Sequence, residues 1–192
     1  MSNEKEASTG LFTKRSQPAD LTSTWFSWHA DVIGPGRRVL DLACGAGRHA
    51  VASALRGANV VAVDQDPERL EALERAAAQR RVSIDVIRAD LKTWDPGRDA
   101  YDVVLLFNYL DRQRMPDFLD AVRPGGYLLA ETYLEQQRLQ GWGPRSDEHL
   151  LVSGELMRLT GRFELILGRE VIETIDGRPA ALASVFAQRP VA

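Results

Sequence analysis

The stretch VLDLACGAGRHA, residues 39–50, decides the fold of this 192-residue chain. Residues 38–42 predict a buried strand, and residues 48–56 predict a helix. Between them, Gly45 and Gly47 permit a tight turn directly before the helix N-terminus, where backbone amides favour an anionic ligand group. A strand, a glycine turn and a helix in this order are typical of an α/β domain.

The same alternation of strand and helix continues through most of the chain. Strands are predicted at residues 59–64, 82–88, 101–108 and 127–133, and helices at residues 66–79 and 114–122. Strands alternating with helices indicate parallel pairing through right-handed crossovers. The sequence therefore predicts a doubly wound α/β sheet.

The C-terminal part breaks this rhythm. After a short helix predicted at residues 154–160, two apolar runs, 163–173 and 180–188, flank the turn at residues 176–178. Two runs around a tight turn predict an antiparallel hairpin. The complete prediction is a seven-stranded, mostly parallel sheet with a C-terminal antiparallel hairpin at one edge.

The N-terminal part is predicted to be a tail followed by a helix. Residues 1–19 are expected to form a flexible tail and residues 20–192 the domain, because the tail offers little apolar surface. Asp20 is the expected helix N-cap. An apolar helix face is predicted from spacings of three and four, made of Leu21, Trp25, Trp28 and Val32.

The composition excludes several classes of protein. Lys and Arg number 24 against 27 Asp and Glu, so no nucleic acid is expected as an obligatory partner. No run reaches the roughly 18 apolar residues of a membrane span, and the start of the chain lacks an apolar signal core. With Cys44 as the single cysteine, we expect a cytoplasmic protein that is a monomer or a homodimer.

Three carboxylates follow the first three predicted strands or lie near their ends, where open α/β sheets bind ligands. Asp41 precedes the glycine turn, Asp64 ends the second strand, and Asp90 follows the third. Asp64 could accept hydrogen bonds from ribose hydroxyls, and Asp90 from an adenine amino group. Taken singly, each has another explanation. Gly45 and Gly47 could serve close packing only, Asp64 could be a neighbour of a helix cap, and Asp90 could be a solvated loop residue.

The motifs DLACGAG, AVDQD, RADL, YDVVLLFNYL and PGGYLLAET, taken in order, resemble the class I S-adenosylmethionine-dependent methyltransferases. The Rossmann-like sheet of that family, with its antiparallel final hairpin, agrees with the strands predicted above. Within the family, GRHA, NYLDR and GPRSDEHLL resemble the small bacterial enzymes related to the tellurite-resistance methyltransferases. The segment at residues 143–147 departs from their pattern and leaves the acceptor open.

The resemblance implies S-adenosylmethionine as methyl donor, with S-adenosylhomocysteine as product. It implies a loop for the amino-acid end of the cofactor, a carboxylate for the ribose, and a carboxylate with an amide for the adenine. The expected cofactor-binding residues are Trp25, Asp41, Ala43, Gly45, Gly47, Arg48, Asp64, Gln65, Asp90, Leu91 and Asn108. Arg48 could pair with the cofactor carboxylate or face solvent. Trp25, on a helix that often covers the cofactor in this family, could stack near the sulfonium.

The expected reaction is an in-line methyl transfer to a small-molecule acceptor, for which positioning is the main requirement. The expected catalytic residues are Tyr109, Arg112 and Glu131, and Tyr133 and Arg145 are further candidates for the acceptor side. Arg112 and Arg145 would suit an anionic acceptor. No metal site is predicted, because no spacing of His, Cys and acidic residues fits one.

Two other functions stay open at this stage. Gly45, Gly47 and Ala50 also fit a loose dinucleotide pattern, so an NAD-dependent oxidoreductase is one alternative. Two features argue against an oxidoreductase. Asp41 stands where a dinucleotide pattern usually has an apolar strand residue, and the sequence after the fourth strand leaves little room for a separate substrate domain. A non-catalytic module that binds S-adenosylmethionine is the other alternative. Cys44 and His49 are expected to pack rather than react.

Overall fold

The computed structural model describes residues 22–191, and within this range the chain forms one sheet of seven strands. The strands are β1 (Arg38–Leu42), β2 (Asn59–Asp64), β3 (Asp85–Arg88), β4 (Tyr101–Phe107), β5 (Val122–Tyr133), β6 (Glu164–Ile175) and β7 (Arg178–Gln188). The helices of the described range are α1 (Thr24–His29), α2 (Arg48–Leu55), α3 (Pro67–Arg80), α4 (Met115–Ala121) and α5 (Glu155–Leu159). Short 3₁₀ turns lie at Ala30–Val32, Glu135–Gln140 and Asp147–His149.

The strand order is β3-β2-β1-β4-β5-β7-β6. The first five strands pair in parallel, whereas β7 runs antiparallel to both β5 and β6. This order confirms the predicted doubly wound sheet and its C-terminal hairpin. From β1 to β3 each new strand is added on one side of β1, and β4 is then added on the other side of β1. The carboxyl ends of β1 and β4 therefore flank the crevice in which such sheets bind ligands.

Two predicted strands differ from the observed ones at their N-terminal ends. β3 begins at Asp85, three residues later than predicted, and Val82 instead donates a backbone hydrogen bond to Ala77 at the end of α3. β5 begins earlier, at Val122, because Val122 already pairs with Tyr101 before the glycine turn shifts the register. Strand ends depend on which neighbour they meet, which local sequence does not specify.

The first helix is shorter than predicted, and its observed N-cap is Ser23. The Ser23 hydroxyl accepts a hydrogen bond from the Phe26 amide at 3.0 Å. The expected cap, Asp20, lies outside the described residues, as does the tail at residues 1–19. After His29 the helix tightens into a 3₁₀ turn.

The predicted apolar face of this helix is partly wrong. Trp25 and its neighbour Phe26 are buried, but Trp28 is 59% exposed. With one and a half turns of α-helix before the 3₁₀ turn, the spacing of three and four cannot hold one stripe against the sheet.

The core lies on both sides of the sheet. One cluster joins the sheet to α4 and α5, and the other joins it to α1, α2 and α3. Because side chains alternate along a strand, Asp41 points to the same side as Val39, and Glu131 to the same side as Leu129. Val39 and Leu129 both belong to the cluster under α1, α2 and α3. Both acidic side chains therefore lie on that side of the sheet.

Candidate functional site

The two glycines Gly45 and Gly47, in the loop between β1 and α2, have different surroundings. Gly45 and Gly47 have φ angles of +57° and +77°, which L side chains rarely adopt. A Cβ at Gly47 would lie 2.4 Å from Leu73 Cγ, so this glycine lets α2 and α3 pack. A Cβ at Gly45 would meet only the Arg69 guanidinium, at 3.6 Å. Gly47 thus serves packing, whereas a Cβ at Gly45 would make only an ordinary van der Waals contact with the end of a flexible side chain.

Asp64, at the carboxyl end of β2, is buried and fastens the glycine loop to the next turn. Its Oδ2 accepts a hydrogen bond from the Gly45 amide at 2.8 Å, and its Oδ1 accepts one from the Asp66 amide at 3.0 Å. Asp66 is itself the N-cap of α3, as predicted. Each carboxylate oxygen can accept a second hydrogen bond. Asp64 can therefore bind the loop amides and a ligand hydroxyl at the same time.

Asp41 is 2% exposed, and its Oδ2 has no hydrogen-bond partner within residues 22–191. Burial raises the pKa of this carboxyl to about 7, against the opposing effect of the nearby Arg48 guanidinium. A buried carboxylate oxygen without a partner is costly to the fold. Such an oxygen fits a site in which a ligand supplies the missing donor.

The loop after β3 lies beside Asp64, because the Ala89 amide donates to the Asp64 carbonyl at 3.0 Å. Asp90 is exposed, and its Oδ1 accepts a hydrogen bond from the Lys92 amide at 2.9 Å. Leu91 is buried, and its carbonyl accepts a hydrogen bond from Arg114 Nε at 3.1 Å. Gln65, between the two acids of the second strand end, is exposed. The three predicted carboxylates therefore line one edge of the sheet.

Asn108 and Tyr109 follow β4 at the next position along this edge. Asn108 has a φ of +56° and donates its amide to the Glu131 carbonyl at 2.8 Å. Tyr109 is half-buried, with its ring centroid 6.2 Å from that of Phe118. Burial, reinforced by nearby acidic side chains, raises the pKa of Tyr109 to about 12. The phenol is therefore protonated at neutral pH and can donate a hydrogen bond.

Glu131, near the carboxyl end of β5, is 3% exposed and held by two side chains. Its Oε2 accepts hydrogen bonds from the Ser184 hydroxyl at 2.8 Å and from Arg169 Nη2 at 3.2 Å. Burial raises the pKa of the carboxyl, and both partners oppose that rise.

Arg48, at the first position of α2, is half-buried and interacts with several acidic or phenolic groups. Burial lowers its pKa, while Glu131, Asp41, Tyr133 and Asp176 favour its charged form. Asp176 belongs to the turn of the C-terminal hairpin. The structure thus brings the hairpin turn to the glycine loop, which sequence reasoning did not foresee.

The Arg112 guanidinium binds groups of the protein itself. Its Nε and Nη2 bind the two carboxylate oxygens of Glu155 at 2.6 and 3.0 Å, and Nη2 also donates to the Leu150 carbonyl at 2.8 Å. Arg145 is exposed, with Nη2 3.4 Å from the Gly141 carbonyl. The pair predicted for an anionic acceptor is therefore not gathered at one point by these contacts.

Trp25 is completely buried, and its Nε1 donates to the Val185 carbonyl at 3.2 Å. The Arg169 guanidinium lies 4.9 Å from its ring centroid. A guanidinium thus lies over this ring, where a sulfonium had been expected to stack.

The remaining candidates agree with a packing role. His49 is buried, its Nε2 accepts the Ser23 amide at 3.2 Å, and its ring stacks on Phe26. Burial holds the pKa of His49 well below its usual range. Burial also raises the pKa of the Cys44 thiol, which keeps it protonated. Within residues 22–191, no three His, Cys, Asp or Glu side chains are grouped to bind a metal, and no helix could span a membrane.

The segment after β5 packs against Tyr133 and the start of β7. Trp142 packs its ring against Tyr133, with centroids 6.1 Å apart, and its Nε1 donates to the Pro179 carbonyl at 2.8 Å. Gln137 is buried, and its Oε1 accepts the Ala181 amide at 2.8 Å. The segment is thereby fixed to the start of β7.

Sequence reasoning missed the residues that the hairpin contributes, Arg169, Glu173, Asp176 and Ser184. A signal was present, since Arg169 and Glu173 interrupt the apolar run of β6 with charges four residues apart. Nothing in the local sequence indicated which strand they would face.

Comparisons with known proteins agree with this geometry. A family described as "Methyltransferase domain" matches residues 39–126. The ribosomal protein L11 methyltransferase of Symbiobacterium thermophilum is 31% identical over 134 residues, which cover 69% of this chain and 44% of that protein. An uncharacterized methyltransferase of Mycobacterium bovis is 32% identical over 158 residues, covering 80% of this chain and 64% of that protein.

Among solved structures, TehB from Haemophilus influenzae has the same fold, with a TM-score of 0.69 at 20% identity, covering 83% of this chain and 59% of TehB. The chain thus spans less than two thirds of the length of each of these relatives. The matches in sequence and in fold favour the methyltransferase prediction over the oxidoreductase alternative. Together, the family match over residues 39–126, the methyltransferase relatives and the shared fold support a class I S-adenosylmethionine-dependent methyltransferase.

Proposed function

We propose that the protein transfers a methyl group from S-adenosylmethionine to a small-molecule acceptor by in-line displacement. The observation that carries the proposal is the Asp41 carboxylate near the carboxyl end of β1, which is buried and whose Oδ2 has no partner within residues 22–191. This oxygen fits the α-amino group of the cofactor, which is a charged donor.

The residues of the site fit the other parts of the cofactor. Asp64 has acceptor capacity left for the ribose hydroxyls. Arg48, whose charge opposes the rise in the pKa of Asp41, would hold the cofactor carboxylate. Asp90 and the Leu91 amide would hold the adenine. The further cofactor contacts that we propose are Ala43, Gly47, Gln65 and Asn108.

The cofactor, when bound, supplies a methyl group on a sulfonium sulfur. The methyl passes to a nucleophile placed in line with the breaking bond, and the sulfur leaves with the bonding electrons as a neutral thioether. The protein needs to orient the acceptor and exclude water. Tyr109, protonated at neutral pH, would donate a hydrogen bond to the acceptor and not act as a base. Glu131 and Arg112 stay candidates only if they exchange their present partners.

We propose a small acceptor because the segment after β5 is held in place beside Tyr133, one of the residues predicted for the acceptor. Trp142 and Gln137 fix this segment against the start of β7. A segment fixed in this way favours a small molecule over a large one. The relative named ribosomal protein L11 methyltransferase favours a protein acceptor as the second candidate.

The experiment is a turnover assay with S-adenosylmethionine labelled on the methyl group. The acceptor panel comprises thiols, selenite, tellurite and small carboxylic acids, with purified ribosomal protein L11 as a separate arm. Label transferred to a small molecule supports the proposal, and label transferred only to L11 replaces it with the second candidate. Binding of S-adenosylhomocysteine without transfer to any acceptor would favour the non-catalytic module.

A further inference from the structure

Arg169, on the edge strand β6, lies at the centre of a polar cluster on the side of the sheet that α1 covers. Its side chain is 15% exposed. Nη2 lies 3.2 Å from Glu131 Oε2 and 3.0 Å from Glu173 Oε2, and Nε donates to the Ser184 hydroxyl at 3.3 Å. One guanidinium therefore contacts groups from three adjacent strands, β5, β7 and β6.

The same guanidinium lies against α1. Its Cζ is 4.9 Å from the ring centroid of Trp25 and 4.9 Å from that of Trp28. Trp25 is buried, whereas Trp28 is the exposed member of the pair. Two aromatic rings at cation–π distance hold the plane of the guanidinium. Arg169 thus joins α1 to the C-terminal hairpin.

Glu131 connects this cluster to the donor site. It pairs in register with Phe107 at the end of β4, and its carbonyl fixes the Asn108 amide. Among the acidic groups that favour the charged form of Arg48, Glu131 has the largest effect, followed by Asp41. Glu131 thus contacts Arg169 directly and lies on the side of the sheet that α2 covers, and Arg48 is the first residue of α2.

We propose that Arg169 is a positioning residue for the methyl-donor site, acting through Glu131, which in turn orients Arg48 beside Asp41. The proposal rests on the proposed function, because Arg48 and Asp41 are assigned there to the amino-acid end of the cofactor. Arginine suits this place better than lysine, since its planar fork binds a carboxylate and stacks on rings at the same time.

A purely structural role predicts something different. A buried ion pair is weak evidence for stability, because desolvation offsets much of the attraction. If Arg169 served only folding, its replacement would lower the melting temperature and leave the affinity for the cofactor product unchanged. If it positions Glu131, its replacement weakens binding, and the weakening depends on Glu131.

The test is calorimetric titration with S-adenosylhomocysteine, at fixed pH and salt, of the full chain and of five variants. These are Arg169→Met, Arg169→Lys, Glu131→Gln, the double variant Glu131→Gln/Arg169→Met, and the control Arg189→Met. Arg189 pairs with Asp99 at 2.6 Å and has a side chain 22% exposed, so it matches Arg169 in burial but lies next to the turn that precedes the regular part of β5.

We expect Arg169→Met to weaken binding about tenfold or more, Arg169→Lys to recover part of this loss, and Arg189→Met to bind like the wild type. The double variant should bind about as well as Glu131→Gln alone, because coupled residues are not additive. Wild-type affinity in Arg169→Met, or losses that multiply in the double variant, would overturn the inference. Absence of binding to the wild-type protein would instead refute the proposed function and, with it, this inference.

A milder variant keeps the test valid if Arg169→Met does not fold. Trp28→Leu replaces an exposed ring and removes one of the two cation–π contacts. We expect it to weaken S-adenosylhomocysteine binding roughly threefold, since a cation–π contact at an exposed site is weak. Unchanged affinity in Trp28→Leu would show that α1 is not tied to the site through Arg169.

Discussion

At the carboxyl ends of β1 and β2, backbone amides and short segments shape the site, whereas at the end of β5 side chains from distant strands do so. Asp64 binds the amides of Gly45 and Asp66, which lie 19 and 2 residues away in sequence. Glu131 binds Arg169 and Ser184, which lie 38 and 53 residues away. We call these two regions the donor half and the acceptor half.

The difference shows how one sheet can build one region from local contacts and another from contacts between distant segments. The donor half is built from glycine conformations and amide hydrogen bonds. The acceptor half depends on ion pairs between segments that are distant in sequence, and through Glu131 we propose that it also affects the donor half. Four predictions, the second of which compares two glycine substitutions, sharpen this comparison and are taken in order of their expected effect on cofactor affinity.

Asp64→Ala should have the largest effect. It removes the acceptor for two loop amides and for the proposed ribose contact. Hydrogen bonds to a charged group contribute about 1.5–3 kcal/mol each, so we expect affinity for S-adenosylhomocysteine to fall about a hundredfold or more in calorimetry. Asp95→Ala, which removes an exposed turn contact to the Gly97 amide, is the matched control. Equal affinity in Asp64→Ala and wild type would disprove the ribose assignment.

Gly45→Ala and Gly47→Ala should separate binding from packing. Gly45→Ala adds a methyl that contacts only the Arg69 guanidinium, at a cost of about 1–2 kcal/mol for its positive φ, and should weaken S-adenosylhomocysteine binding about tenfold. Gly47→Ala drives a methyl into Leu73 and should destabilise the fold by about 2–4 kcal/mol. Melting curves and titrations of both variants check this. Tighter or equal binding by Gly45→Ala would show that no ligand approaches that loop.

Asp41→Asn should weaken the binding of S-adenosylhomocysteine and raise the stability of the fold, and the gain in stability should depend on pH. Burial raises the pKa of Asp41 to about 7 from 3.8, so between these values the folded protein holds a proton that the unfolded chain has lost. The free energy of unfolding therefore falls as the pH rises through this window, and the loss is complete above about pH 7.

Asn removes that penalty. We expect Asp41→Asn to raise the melting temperature at pH 8, by a free energy on the order of 2–4 kcal/mol, and to change little near pH 4. Binding of S-adenosylhomocysteine should weaken about fivefold, because Asn carries no charge for the amino group. A variant less stable than wild type at pH 8 would mean that Asp41 Oδ2 has a partner in the free protein.

Arg112→Met should have the smallest effect on affinity. It breaks the two-point contact with Glu155, so the melting temperature should fall by the equivalent of about 1–3 kcal/mol. Titration with S-adenosylhomocysteine should give a dissociation constant within about twofold of wild type. A large loss of affinity with an unchanged melting temperature would return Arg112 to the binding site.

The sequence predicted the donor half more fully than the acceptor half, and the particular residues show why. Asp41, Gly45, Gly47 and Asp64 follow strands whose order can be inferred from alternation alone, and their partners lie nearby in the chain. The partner of Arg112 is Glu155 and that of Glu131 is Arg169. Such pairs depend on how a late hairpin and a long connection fold back, which no local pattern encodes.

The predicted apolar face of the short first helix was partly wrong for a related reason. Its spacing pointed to Trp28 as a core residue, yet the helix tightens after His29, and Trp28 lies exposed beside Arg169. Tertiary contacts with the hairpin decided the outcome over the periodicity of one and a half turns.

Calorimetric titration of the wild-type protein, first with S-adenosylhomocysteine and then with NAD, tests the central claim most directly. The account predicts one S-adenosylhomocysteine bound per chain, with binding abolished or greatly weakened in Asp64→Ala, and no heat of binding with NAD. Binding of NAD, or failure to bind S-adenosylhomocysteine, would contradict it.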